Sequence, residues 1–215
     1  EHVIQVADSE IDHEKGRINI VMEVGDMDLG KLLQTEPPLA LEQIQDLWRQ
    51  MLLAVQVLHE ARIVHSDLKP GNFLLVGGRL KVIDFGIASR LNSDTTNVHR
   101  DASVGTLSYM PPEAVKQGHL KIGRAADIWS LGIILYQMVY GRPPFAALEP
   151  WQRVLRLNDP GLTIQLPEPE RLEECSPAAR EQLLEVLGRC LEREPRRRPS
   201  LPELLAHPFL RTRVE

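Results

Sequence analysis

The chain has 215 residues, 43% of them hydrophobic and 26% charged, with a net charge of -5 and a pI near 5.8. That is enough apolar material for one sizeable core in one domain. The acidic balance leaves no broad basic surface to neutralise a nucleic-acid backbone, so nucleic acid is excluded as a partner. The two cysteines, Cys175 and Cys190, form no CxxC pair and fit packed or free thiols in a reducing, intracellular compartment. The longest apolar stretch, residues 128–139, is interrupted by Ser130, Gly132 and Gln137 and is too short to cross a bilayer, so no membrane partner is expected. The sequence opens on Glu1 amid apparent structure, without an initiator methionine or a signal pattern, and reads as a piece of something longer.

In chain order, residues 2–7 and 17–23 are rich in Val and Ile and flank a polar stretch, which predicts two antiparallel strands. From Leu41 onward, Ile44, Leu47, Trp48, Met51, Leu52, Val55 and Leu58 fall on one helix face, with Pro37 and Pro38 setting the upstream limit. Residues 73–76 and 79–83 are short strands joined by Gly77-Gly78, a pair suited to a tight hairpin turn. Residues 84–113 form a long polar segment rich in Ser and Thr, a length that marks a functional or mobile loop. Residues 124–140 read as a helix apolar nearly all round, hence buried and central, stopped by Gly141 with Pro143 and Pro144 beyond. Leucine-rich helical patterns follow over 177–191 and 201–206.

The residues that carry chemistry are His65-Ser66-Asp67-Leu68-Lys69-Pro70-Gly71-Asn72, then the hairpin, then Asp84-Phe85-Gly86. They put two carboxylates, an ammonium and an amide oxygen on neighbouring loops. Transfer of a phosphoryl group from ATP requires an oriented hydroxyl and neutralised phosphate charge. Asp67 can accept the hydroxyl proton, Lys69 can screen the migrating phosphate, and the oxygens of Asn72 and Asp84 suit Mg2+, a hard cation that keeps several waters. Asp-Phe-Gly alone commonly ends a strand in a turn; the ordered set with its intervening hairpin is far more specific. Asp127, on the buried helix, is costly unless its oxygens are hydrogen-bonded; a first-turn carboxylate stabilised by the helix dipole is the blander reading.

The ordered set resembles the eukaryotic protein kinase superfamily, and the likeness extends to nearly the whole chain. It implies an α+β protein-kinase-like fold: a mainly helical C-terminal lobe (29–215), preceded by the end of the N-terminal lobe (1–23, its fourth and fifth strands) and a hinge (22–28). By the same resemblance Met110-Pro111-Pro112-Glu113 looks like the end of an activation segment, with Pro111 where the family has Ala. Arg198 looks like the arginine that pairs with Glu113, Thr106 like the substrate-loop threonine that bonds the catalytic Asp and Lys, and Asp127 like the carboxylate that holds the amides of the loop begun by His65. Met22, Glu23, Val24 and Gly25 resemble the hinge that binds adenine through its backbone. Met22 would guard the back pocket, Leu74 would form the floor beneath the base beside Ile83, and Asp28 would meet the ribose. The plainer reading of Met22 and Leu74 is core packing.

The lysine in Asp67-Leu68-Lys69-Pro70-Gly71-Asn72 is typical of serine/threonine kinases. The combination of His65-Ser66-Asp67, Asp94-Thr95-Thr96, Tyr109-Met110-Pro111-Pro112-Glu113-Ala114 and Glu203-Leu204-Leu205-Ala206-His207-Pro208 is similar to the monopolar spindle, or TTK, dual-specificity family. That resemblance implies kinetochore proteins as substrates, a role in the spindle assembly checkpoint, and a place in the nucleus, at the kinetochore and on the spindle. Ser66 stands where most kinases activated by loop phosphorylation have an arginine for the phosphate. The spindle family shares this serine, and by that match Thr95 and Thr96 are candidate regulatory phosphorylation sites; as plain loop formers they would be merely solvated. A glycine-rich loop, a strand lysine and a helix glutamate, which a working kinase also needs, are not found, so these 215 residues alone are expected to be inactive. A pseudokinase or scaffold lobe is the rival reading, which retention of Asp67, Lys69, Asn72 and Asp84 disfavours. An unrelated hydrolase is weaker still, since no GxSxG is present.

Overall fold

A computed structural model of the chain describes residues 1–35, 38–83, 89–90, 106–115, 123–169, 172 and 175–211. The first elements are strands β1 (Val6–Asp12) and β2 (Arg17–Met22), an antiparallel pair in which Ile11 faces Ile18 and Val6 faces Met22. Ala7 is an extra residue between the Val6–Met22 and Asp8–Val21 pairs, a bulge that bends β1. The sequence pattern placed the first strand at residues 2–7, and the structure differs. Ile4 N donates to Val82 O at 3.1 Å and Val82 N to His2 O at 2.9 Å, so the first residues bond alongside a later strand and β1 starts beyond them.

A short β3 (Met27–Asp28) leads into a single turn, α1 (Leu29–Leu32), and then the long α2 (Leu41–Glu60). The seven apolar positions read from spacing in α2 are all buried, with Trp48, Met51, Leu52 and Val55 fully enclosed. Gln43 Oε1 accepts from Ala40 N at 2.9 Å and caps the start; Arg62, just past the end, takes φ 59°. After β4 (Ile63–Val64) come β5 (Phe73–Val76) and β6 (Arg79–Val82), joined by Gly77 and Gly78 at φ 56° and 77°. Two successive positive φ values make the tight hairpin turn that the glycine pair predicts. β6 packs on α2, where Gln50 Oε1 accepts from Leu80 N at 2.8 Å. β5 lies between β3 and β6, and β7 (Ser89–Arg90) pairs with β4.

The remainder is helical: α3 (Pro112–Val115), α4 (Arg124–Tyr140), α5 (Pro150–Asn158), α6 (Pro177–Cys190) and α7 (Leu201–Leu205). Twelve of the seventeen residues of α4 are buried, which makes it the axis of the core. Gly141 ends it at φ 79°, its N–H bonded to Gln137 O at 2.8 Å, a left-handed terminus that glycine adopts without steric cost. α2 lies on one flank of α4, where Trp48 Nε1 donates to Leu131 O at 3.3 Å, and α6 on the other with Leu183, Val186 and Leu187. Each fully buried aliphatic side chain contributes about 1.5–3 kcal/mol, so this three-helix contact dominates the stability. Gly132 is where α4 meets α6: a Cβ there would lie 2.7 Å from that of Cys190. α5 has no counterpart in the sequence reading; of its apolar residues only Leu157 is buried, while Trp151 and Leu155 face outward.

Candidate active site

The segment 65–72 crosses from β4 to β5 over the first turn of α4. Asp127 reaches up from that turn with no exposed surface: Oδ2 accepts from His65 N at 3.0 Å and Oδ1 from Ser66 N at 2.8 Å. His59 Nε2, from the last turn of α2, lies 2.8 Å from Oδ2. Consecutive amides can face one carboxylate only if the backbone turns sharply, and Ser66 does so at φ 69°. A left-handed serine costs about 1–2 kcal/mol, which charge-assisted bonds to Asp127 offset. The ring of His65 is fixed on both sides, Nδ1 accepting from Asp67 N at 3.3 Å and Nε2 donating to Ile83 O at 3.2 Å.

Above this base, Lys69 Nζ sits 3.2 Å from Asp67 Oδ2, and the other oxygen of Asp67 is buried without a hydrogen-bond partner among the described residues. Asn72 is 2% exposed, and both atoms of its side-chain amide are likewise buried and unpartnered. Its backbone is tied down, N to Lys69 O at 2.9 Å and O from Ile83 N at 2.8 Å, in the one-turn helix Pro70–Asn72. Leaving such groups unsatisfied costs about 1–3 kcal/mol each. Among the described residues, the orphaned amide oxygen of Asn72 is a donor that fits a hard cation, and the orphaned carboxylate oxygen of Asp67 beside Lys69 is available to accept a proton. Asp84 follows Ile83 directly but lies outside the described residues, as do Phe85, Gly86, Thr95 and Thr96; of Thr106 only the backbone is described, opening the turn Thr106–Ser108.

At the end of β2, Met22 is 45% exposed opposite Val6, neither in a core nor behind a closed pocket, because no described side chain covers that face of the β1–β2 pair. Glu23 is anchored through its N–H to Gln5 O at 3.0 Å and through its carboxylate to Lys81 Nζ at 2.6 and 2.7 Å. The Lys81 bond, followed by one from Gln5 N, holds its carboxyl below the usual carboxylate range. Val24 is 89% exposed. Gly25 lies against Leu74 so closely that a Cβ would overlap three side-chain carbons of that leucine. Leu74 faces Asp28 across the β3–β5 pair, and Asp28 is engaged as the cap of α1, accepting from Lys31 N at 3.0 Å. Ile83 is half-buried beside the loop.

On the opposite side, Arg198 Nη1 and Nη2 grip Glu113 at 2.6 and 2.8 Å. The guanidinium is wholly buried, donates also to the carbonyls of Ala125 and Glu192, and lies 5.0 Å from the Trp129 ring centroid. Sequence reasoning missed three anchors here. Ser130 Oγ donates to Tyr109 O at 2.9 Å, Tyr109 Oη donates to Gln137 Oε1 at 2.6 Å, and His59 supports Asp127. Burial pushes the Tyr109 phenol up to about 12, so it stays a donor. Polar residues on an otherwise apolar helix, Ser130 and Gln137, were the signal that could have found two of them.

The chain matches the protein kinase domain over residues 1–210. It is 45% identical to serine/threonine-protein kinase mph1 of Schizosaccharomyces pombe, over 98% of this chain and 34% of that protein. To a probable serine/threonine-protein kinase mps1 of Dictyostelium discoideum it is 43% identical, over 98% of this chain and 22% of the relative. The dual specificity protein kinase Ttk of Danio rerio gives 42%, over 98% and 21%. The chain thus spans about a third or less of the length of these curated relatives.

Proposed function

The chain belongs to the protein kinase domain family, and on that footing we propose that it carries the transfer residues of an enzyme moving the γ-phosphoryl of ATP to serine or threonine, and also tyrosine, hydroxyls of proteins. One observation carries this reading: the oxygens of Asp67 and Asn72, buried and without a hydrogen-bond partner among the described residues, on a loop pinned by Asp127. A lobe used only for binding gains nothing from that unsatisfied polarity, whereas phosphoryl transfer by positioning and electrostatics needs it.

In this reading Asp67 accepts the proton of the substrate hydroxyl. Lys69, 3.2 Å from it, orients that carboxylate and offsets charge on the transferred group. Asn72 and Asp84 hold magnesium, which when bound neutralises the phosphates. Thr106 ties the substrate loop to Asp67 and Lys69, and residues 22–25 with Leu74 and Ile83 receive the adenine. Asp28, which caps α1 through Oδ1, also meets the ribose with its carboxylate. Residues 1–23 form the end of the N-terminal lobe, 22–28 the hinge and 29–215 the C-terminal lobe. The motif likeness to the monopolar spindle family supports a spindle-checkpoint kinase acting on kinetochore proteins in the nucleus, with Thr95 and Thr96 as regulatory sites, and the relatives' names support serine/threonine or dual specificity.

In the natural polypeptide that contains these residues, Asp84→Asn is expected to reduce magnesium-dependent transfer from labelled ATP to background without moving the melting temperature. Transfer at the unmodified rate would sink the assignment.

A further inference from the structure

Arg153, in the first turn of α5, is half-buried and spends its guanidinium on three oxygens. Nε donates to Leu148 O at 2.8 Å and Nη2 to Ala146 O at 3.0 Å, both in the loop entering α5. Nη1 donates to Ser108 Oγ at 2.8 Å, a bond that crosses 45 positions of sequence to the turn Thr106–Ser108. The two carbonyl bonds fix the plane of the fork before it reaches the serine, so the hydroxyl is held by a rigid group.

The surroundings make this link consequential. Directly under it lies a void of only about 10 Å³, lined by Leu107, Met110, Trp129, Phe145 and Leu157, too small to admit a side chain. Leu107 and Met110 therefore rest on an apolar floor that positions them laterally but supplies no directional bond. From the α4 side the strand of chain is held at Tyr109, through Ser130 and Gln137. From the α5 side the hydrogen bond is that of Arg153 to Ser108. α5 buries only Leu157 among its large apolar residues; Arg193 holds its far end, donating to Leu157 O at 3.0 Å and Asn158 O at 3.5 Å, and the Arg153 guanidinium holds its near end.

We infer that Arg153 is a positioning residue for the protein substrate, setting the height of residues 107–110 against which the polypeptide around the acceptor hydroxyl is laid. The inference rests on the kinase reading, and it separates recognition of the peptide from recognition of the nucleotide, since among the described residues neither Arg153 nor Ser108 is hydrogen-bonded to one assigned to ATP.

The test uses the natural polypeptide, a serine-containing acceptor peptide and ATP. Arg153→Met is expected to raise the KM for peptide roughly tenfold, with the KM for ATP unmoved. Ser108→Ala removes the acceptor while leaving α5 and both carbonyl bonds intact, and is expected to give the same shift without misfolding. The double variant is expected to be no worse than either single one, the signature of two groups acting through one bond. Transfer with an unshifted peptide KM in Ser108→Ala, or additive losses in the double variant, overturns the inference alone. No transfer by the unmodified protein overturns the kinase reading and this inference with it.

Discussion

The loop at residues 65–72 and the β1–β2 pair are opposite solutions to burial. The loop is polar yet enclosed, with His65, Ser66 and Asn72 all buried and its amides bonded to a carboxylate without exposed surface. The strand pair is apolar yet open: Ile11, Ile18, Ile20, Val6 and Met22 share one face, Ile18 being 67% exposed, while Asp8, Glu10, Asp12, Arg17 and Asn19 occupy the other. A two-stranded ribbon is marginal in water on its own. The contrast teaches that rigidity here follows hydrogen-bond closure around Asp127 and the helix core, not hydrophobicity as such.

The contrast is broken most severely at Asp127. Asp127→Ala strands two buried amides and removes the partner of His59, at a cost of roughly 3–5 kcal/mol. Thermal unfolding should show a melting temperature lower by roughly 10 °C, and an unchanged melting point would mean that the loop is held by something else. Next comes Gly132→Ala, which drives a methyl into Cys190 and Leu191 where α4 crosses α6. Overpacking, offset in part by alanine's better helix propensity, should leave roughly 1–2 kcal/mol of destabilisation by denaturant titration. The smallest effect is expected on the ribbon: Ile18→Lys with Ile20→Lys should change stability by no more than about 0.5 kcal/mol and reduce aggregation in light scattering. A loss comparable to that at Asp127 would show that the apolar face is packed in solution.

Much of this was legible in the sequence where a pattern had one physical cause. The 3.6-residue spacing gave α2 from Leu41, and the glycine pair gave the β5–β6 turn. The grouping of Asp67, Lys69 and Asn72 followed from motif spacing, and the pairing of Glu113 with Arg198 from the family resemblance alone. What escaped was set by partners far away in sequence. Residues 2–4 have strand composition, but their bonds go to Val82. A local role also escaped: Asp28 caps α1, accepting from Lys31 N. α5 has helical spacing at Trp151, Val154 and Leu155, but it is only nine residues long and the structure turns Trp151 and Leu155 outward.

Ile83 sits at a junction whose mechanical meaning is simple. Its N–H is bonded to Asn72 O and its carbonyl to the ring of His65, so both peptide groups flanking this residue are clamped to the same loop. Ile83 is thus a welded joint: its carbonyl is held by the same imidazole that accepts from Asp67 N, so one ring sets where this residue stands relative to the Asp67 backbone.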